Sequence, residues 1–226
     1  MSKAVEYFEN IQKIMSRIMT EQMDNIEKAA RAVADALENG GRVHAFGTGH
    51  SHMLAEEIFY RAGGLVNVNP ILESGLMLHE SASKSTALER LEGYGEIIFD
   101  FNNINEKDVL FLFSNSGRNG VAIDLALIAK EKGVKTVVIT NMLHTMQGKS
   151  RHSSGKKLYE AGEIVMLGVK KPKKVQKALR QMIAMACTRT ANMMSPYKMY
   201  PQMYRHVLGG YPAYYYGTMY GQNTKK

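Results

Sequence analysis

Apolar side chains recur every three or four positions along the first 38 residues, and shorter apolar runs follow. The first pattern predicts a helical segment over 1–38 with a break near Thr20. Asn39 and two glycines then end it, because they adopt left-handed backbone angles at low cost. The later runs predict strands at 42–46, 65–69, 109–113, 136–140 and 163–167, with helices at 52–61, 84–92 and 120–132.

Strands that alternate with helices are typical of an α/β fold whose parallel sheet is covered on both faces. Right-handed crossovers favour a doubly wound open parallel five-stranded sheet with the flavodoxin-like order 2-1-3-4-5, preceded by the N-terminal helical segment. Ligands of such sheets bind beyond the carboxyl ends of the strands. The segments predicted at that edge are 47–52, 69–84, 114–119 and 140–154.

The loop after the third strand carries hydroxyl, amide and glycine residues directly before a helix. Free amides and the helix dipole at such a position attract an anion, and glycine lets the backbone approach it. We therefore predict phosphate binding by Ser114, Asn115, Ser116, Gly117, Arg118 and Asn119. The alternative is a simple turn whose serine or asparagine caps the next helix.

A second glycine-and-hydroxyl loop follows the first strand, which neighbours the third in this strand order. We predict that Ser51 shares the phosphate and that Gly47, Thr48, Gly49 and His50 contact an adjoining group of the ligand, such as a sugar hydroxyl. A dinucleotide fingerprint does not fit, because His52 occupies its third glycine position and no acid closes the second strand. A triphosphate-binding loop is absent from the sequence.

These loops resemble the sugar isomerase (SIS) domain family, more narrowly its small stand-alone bacterial members similar to phosphoheptose isomerase. The likeness covers 5–163 and also uses the runs 53–64 and 70–80. It implies a phosphosugar ligand, with the phosphate on the Ser114–Asn119 loop and Ser51 assisting. It also implies a homodimer or homotetramer with sites near subunit contacts.

The chain departs from that family at its metal position. Phosphoheptose isomerases carry a metal-binding His and Glu four residues apart on the first helix after the glycine loop, and these places hold Glu57 and Arg61 here. Arg61 would repel a cation, so we expect no metal and no cofactor. His50 and His52, two residues apart on a turn, are interpreted as solvated or capping groups.

Aldose–ketose isomerisation needs a base for a carbon-bound proton and an acid for the carbonyl oxygen. The candidates are Glu80, His79 and Glu57. In the alternative interpretation His79 caps a helix and the carboxylates form surface ion pairs. Two other functions stay open: a non-catalytic phosphosugar sensor, and an ether lyase resembling N-acetylmuramic acid 6-phosphate etherase.

Composition separates the chain into two parts. All 21 acidic residues precede Ile164, whereas 11 of the 29 basic residues follow Glu163. We predict a SIS phosphosugar-binding domain over 1–167 and a basic, Met- and Tyr-rich tail over 168–226, helical at 173–194 and then disordered. Three accounts of the tail compete: nucleic-acid binding, which no motif supports, an adhesive assembly segment, or a reading frame shifted after Glu163.

The remaining features concern location. Cys187 is the sole cysteine, so an intramolecular disulfide cannot form and a reducing compartment is expected. The sequence has no apolar run of 18 residues, and charged residues interrupt its first ten positions. We therefore expect a cytoplasmic protein that does not use a membrane.

Overall fold

The structure is a computed structural model, and it describes residues 2–60 and 62–168. Packing divides the chain into two compact units, Asn10–Lys171 and Met1–Glu9 with Pro172–Lys226. In the second unit residues 2–9 are described, and they begin a helix in which Lys3 Nζ lies 2.7 Å from Glu6 Oε2. The helix and disorder predicted for the tail lie outside the described residues, and the domain boundary at 167 stays a prediction.

A five-stranded sheet forms the centre of the first unit. All its strand pairs are parallel and the order is β2-β1-β3-β4-β5, which confirms the predicted fold class and topology. The strands are β1 (Val43–Gly47), β2 (Val68–Ile71), β3 (Val109–Ser114), β4 (Lys135–Asn141) and β5 (Ile164–Gly168). Gly47 pairs with Phe113 and Ser114 with Thr140, so the carboxyl ends of β1, β3 and β4 share one edge.

Helices cover both faces of this sheet. The α-helices of the described residues are α1 (Lys3–Glu21), α2 (Met23–Glu38), α3 (His52–Glu57), α4 (Ala82–Leu88), α5 (Tyr94–Phe101), α6 (Gly120–Glu131), α7 (Met142–Met146) and α8 (Leu158–Ala161). Helices α5, α6 and α8 pack on one face, and α2 and α3 on the other. In the described part of the chain, none of the helices has the length and apolar character needed to span a bilayer.

Helix α6 is the most extensively buried of the described helices. Eight of its twelve residues are buried, among them Ile123 and Leu125, which share a core with Phe46 and Leu112 of the sheet. A helix that is apolar on most sides is stable only inside a core. Its first turn is therefore held firmly at the carboxyl edge of the sheet, where ligand binding is predicted.

Several element boundaries differ from the sequence-based predictions. The second strand is Val68–Ile71 instead of 65–69 and includes Pro70, which is tolerated because β2 is an edge strand. The helix predicted over 52–61 ends at Glu57, and the one over 84–92 is Ala82–Leu88. Helix α5 was not predicted.

The break in the N-terminal helical segment lies at Gln22, two residues after the predicted position. Gln22 is 7% exposed. Its Oε1 accepts hydrogen bonds from the Leu167 amide of β5 at 3.0 Å and from Asn25 Nδ2 at 3.3 Å. The helix break is thus fastened to the last described strand.

A buried polar network joins β1 to its neighbours. His44 is 1% exposed, with Nε2 at 3.2 Å from Asp108 Oδ2 and Nδ1 at 3.0 Å from Asn69 Nδ2 on β2. Asp108 also accepts the Arg42 amide at 2.7 Å. Burial lowers the pKa of the His44 imidazole, and the charge of Asp108 opposes that shift only in part.

Candidate functional site

The Ser114–Asn119 loop connects β3 to the first turn of α6, as predicted. Ser114 Oγ accepts the amide of Gly117 at 3.0 Å and closes the loop. Gly117 has a φ of 58°, and a β-carbon there would lie 2.9 Å from Thr140 Oγ1 and 3.1 Å from Thr145 Oγ1. Both the backbone angle and the close approach to β4 require glycine at this position.

Some side chains of this loop make hydrogen bonds to other segments, whereas the Ser116 hydroxyl does not. Asn115 Nδ2 lies 2.8 Å from His144 Nδ1, and Asn119 Oδ1 accepts Arg151 Nη1 at 2.6 Å. The half-buried Ser116 hydroxyl makes no hydrogen bond to another described residue. Ser116 is therefore the loop side chain with a hydroxyl available to a ligand, next to the positive end of the α6 dipole.

Three arginines gather around this helix N-terminus. Arg118 is half-buried, and within the described chain its buried Nε has no hydrogen-bond partner. A side chain at Gly148 would overlap the Arg118 guanidinium. Desolvation and the nearby positive charges of Arg90 and Arg118 lower the pKa of Arg151. The charge of Glu89 acts on this pKa in the opposite direction. An anion beside Arg118 and Arg151 is favourable because it offsets the repulsion between their positive charges.

The segment 147–157, which lies between β4 and β5, holds this arginine cluster in place. The Arg151 amide donates to the Arg118 carbonyl at 2.9 Å. His152 Nε2 lies 2.8 Å from Oδ1 of Asp124, a buried carboxylate on α6. The sequence placed this segment at the ligand edge but did not identify Arg151 or His152 as site residues.

The first glycine loop folds back against the end of β1. A β-carbon at Gly47 would lie 2.6 Å from the Ser51 carbonyl group, and Gly49 has a φ of 57°. Thr48 Oγ1 donates to Glu89 Oε2 at 2.9 Å. The Ser51 hydroxyl is half-buried and makes no hydrogen bond to another described residue. His50, the fourth predicted sugar contact, is exposed.

Glu89, which sequence reasoning missed, bridges the two loops. Its carboxylate accepts Thr48, and its carbonyl accepts the Val121 amide in the first turn of α6 at 3.3 Å. A β-carbon at Gly120 would lie 2.9 Å from the Arg90 carbonyl oxygen, so the end of α4 packs closely on α6. The glycine at the start of α6 is the sequence signal for that close approach.

Glu80, one predicted catalytic residue, lies on the surface. Its carboxylate pairs with Lys84 Nζ at 2.7 Å. The hydrogen bond from Lys84, followed by one from Ser74, lowers the pKa of Glu80. This direction is opposite to the one expected for a carboxylate base that works near neutral pH.

His79 and Glu57 are the other two predicted catalytic residues, and both are exposed. His79 does not cap the next helix, because Ser81 Oγ takes that position and accepts the Lys84 amide at 3.3 Å. The His79 ring instead contacts His52 edge-on, with centroids 5.0 Å apart. Glu57 is the last residue of α3.

The metal position of phosphoheptose isomerases does not fit this chain. Its two places correspond to Glu57, which is the last residue of α3, and Arg61. Arg61 lies outside the described residues. The absence of a metal at these two positions stays a prediction.

Comparison with known proteins gives the family. Residues 6–141 match the SIS domain. A UPF0309 protein of Listeria monocytogenes is 43% identical over 185 residues, which cover 81% of this chain and 75% of that protein. A UPF0309 protein of Geobacillus thermodenitrificans is 47% identical over 161 residues, covering 71% of this chain and 65% of the relative. The chain thus spans slightly less than two thirds of the Geobacillus relatives.

Solved structures agree on the fold. A phosphoheptose isomerase from Francisella tularensis has a TM-score of 0.54 and 20% identity, with 78% of this chain and 90% of that chain covered. The phosphoheptose isomerase from Neisseria gonorrhoeae has a TM-score of 0.52 and 18% identity, covering 82% and 95%. The resemblance predicted from the two loops is confirmed: this chain belongs to the SIS domain family.

Proposed function

We propose that this chain binds a phosphorylated sugar between the ends of β1 and β3 and interconverts its aldose and ketose forms. The observation that carries the proposal is the Ser114–Asn119 loop at the N-terminus of α6, where the buried Arg118 Nε has no partner among the described residues and Arg151 Nη1 lies 2.6 Å from Asn119 Oδ1. The family match and the two phosphoheptose isomerase neighbours give it further support.

The phosphate part follows from charge and hydrogen bonding. A sugar phosphate is a dianion, and arginine offers planar paired donors that match its oxygens. Ser116 adds a hydroxyl without a partner, and Ser51 on the neighbouring loop adds another. Each hydrogen bond to a charged oxygen contributes roughly 1.5–3 kcal/mol when it is sheltered from water.

The sugar part uses the first loop. We propose that Gly47, Thr48, Gly49 and His50 line the sugar, as predicted from the sequence. Glu89 joins Glu80, His79 and Glu57 as a candidate base, because its carboxylate already contacts Thr48 at 2.9 Å. A half-buried carboxylate beside a bound sugar is suited to remove the carbon-bound proton.

Binding is tested by thermal unfolding with a panel of hexose and amino-sugar phosphates and their unphosphorylated counterparts. A ligand at 100 times its Kd stabilises the folded state by about 2.7 kcal/mol. Ser116→Ala should weaken binding by about ten- to a hundredfold, since one hydrogen bond to a charged oxygen is lost. Ser16→Ala, at an exposed position on α1, is the matched control. Equal stabilisation of both variants by a phosphorylated sugar would contradict the phosphate assignment.

Turnover separates the isomerase from its alternatives. Conversion of a bound sugar phosphate that is lost in Glu89→Gln and kept in Glu80→Gln supports Glu89 as the base. Stabilisation by a sugar phosphate without conversion of any panel member favours the phosphosugar sensor. Release of an ether substituent favours the lyase.

Self-association into a homodimer or homotetramer is part of this proposal. Large apolar side chains near the first loop, among them Met53, Leu54 and Phe59, are exposed in the single chain. Such side chains on a surface are typical of contacts between subunits.

A further inference from the structure

A second cluster of polar side chains, two histidines and a glutamate, lies on α3 and the turn before α4, outside the phosphate loop. It comprises His52, Glu56 and His79, and one ligand atom from each lies within 4.8 Å of the others. His52 is 1% exposed, whereas Glu56 and His79 are exposed. This combination of a fixed buried ligand and two adjustable surface ligands was not predicted from the sequence.

The buried histidine has one nitrogen occupied and one without a hydrogen bond. His52 Nδ1 makes a short contact with the Gly49 carbonyl oxygen, which can only accept, so Nδ1 carries a proton. In the neutral ring Nε2 then has a lone pair, and this buried atom has no hydrogen-bond partner in the described chain. A backbone carbonyl that orients one histidine nitrogen while the other faces outward is the usual arrangement of a metal-binding histidine.

The neighbour of that lone pair is itself an acceptor. Glu56 lies one helical turn after His52, and its Oε1 is 3.4 Å from His52 Nε2. A lone pair and a carboxylate repel each other unless a proton or a cation lies between them. His79, whose ring contacts the His52 ring edge-on at 5.0 Å, supplies a third possible ligand.

We propose that His52, Glu56 and His79 bind a divalent transition-metal ion of the zinc class. Two imidazoles and one carboxylate suit Zn²⁺, and three protein ligands leave a fourth position open. Ligand atoms of a tetrahedral zinc site lie about 3.3 Å apart, so the exposed Glu56 and His79 side chains need to shift by about 1 Å. The site is distinct from Glu57 and Arg61, on which the expectation of no metal was based.

The location gives the ion access to the proposed sugar. His52 directly follows Ser51, and Gly49, whose carbonyl orients it, belongs to the first glycine loop. A metal with an open position there can take a water or a sugar oxygen as its fourth ligand. This last step rests on the proposed function, whereas metal binding itself does not.

The test measures Zn²⁺ and Co²⁺ binding by the untagged full chain without any sugar. We expect one equivalent of Zn²⁺ by equilibrium dialysis and metal analysis, and a visible Co²⁺ spectrum of a four-coordinate site. Glu56→Gln and His79→Ala change exposed residues, so folding is preserved, and each should weaken binding at least tenfold. Glu57→Gln tests whether the neighbouring carboxylate is a ligand. Glu106→Gln, at an exposed position outside the cluster, is the control that should bind as the wild type does.

Three results would overturn the proposal. They are no stoichiometric metal uptake, uptake that Glu56→Gln and His79→Ala leave unchanged, and uptake that depends on Glu57. Because no sugar is present, these outcomes are independent of whether the phosphosugar proposal holds.

Discussion

The two loops of the candidate site are built differently. On the β3–β4 side the Ser114–Asn119 loop is tied to 147–157 by hydrogen bonds and leads into the buried helix α6. On the β1 side the glycine loop leads into α3, a helix of six residues, of which two are buried. The first arrangement suits a fixed anchor for a phosphate, and the second leaves polar atoms of Ser51 and His52 for groups that vary with the ligand.

The strongest test of this contrast compares two glycines with nearly the same backbone angle. Gly117 has a φ of 58° and Gly49 a φ of 57°, but only a β-carbon at Gly117 meets other atoms within 4 Å. The left-handed angle alone costs an alanine roughly 1–2 kcal/mol. Overpacking against Thr140 and Thr145 should add about 1–3 kcal/mol to the loss of unfolding free energy in Gly117→Ala.

Urea denaturation of both variants provides the measurement. Gly117→Ala should be destabilised by about 3 kcal/mol and Gly49→Ala by about 1 kcal/mol. Equal losses of unfolding free energy in the two variants would contradict the difference in packing between the two loops.

A second, smaller effect should come from Asp124, which holds the β3–β4 side together. Its Oδ2 accepts the Gly93 amide at 2.7 Å, and its Oδ1 contacts His152. Asp124→Asn removes the charge from these bonds and should cost about 2 kcal/mol of unfolding free energy. Amide hydrogens of 150–158 should exchange faster, as hydrogen-exchange mass spectrometry would detect. The exposed Asp100→Asn is the control and should change stability by less than about 0.5 kcal/mol.

The smallest predicted effect is a pH dependence of the unfolding free energy, which arises from His44 on β1. The unfolded chain protonates its histidines near pH 6.5, but the lowered pKa of His44 delays protonation in the folded state. The unfolding free energy should therefore fall as pH drops below about 6.5, by at most about 1.4 kcal/mol per pH unit, and level off below the folded pKa. His44→Gln should flatten this dependence and His50→Ala should leave it unchanged.

Hydrogen exchange can locate the same effect. Because His44 contacts Asn69, acid should expose the β2 amides before those of β4. An identical pH dependence in His44→Gln would contradict the role given to this residue.

Much of the sheet could be predicted because its strands are short apolar runs between helices. The second strand was predicted too early in the sequence. An edge strand pairs on one side only, so its apolar pattern is weaker, and Pro70 was interpreted as the end of the strand. Helix α5 was missed because its eight residues are too few to show a clear helical period. It becomes a helix through packing on α6 and through the Asp124 bond to the Gly93 amide.

The site was predictable only where its chemistry is local in sequence. The two glycine loops carry their geometry in consecutive residues, and both lie at the carboxyl edge of the sheet. Glu89 contacts Thr48 from 41 positions away, and Arg151 contacts Asn119 from 32 positions away. One sequence contains no spacing rule for such contacts, which depend on how the segments pack after folding.

The hydrogen bond from the Leu167 amide to Gln22 also affects how β5 can pair with other chains. Parallel strands at the border of a sheet present amides that can recruit a strand from another molecule, which is the first step of aggregation. A side-chain oxygen at a helix break occupies one such amide on β5. The helix break between α1 and α2 therefore blocks one position at which a strand from another molecule could pair with β5.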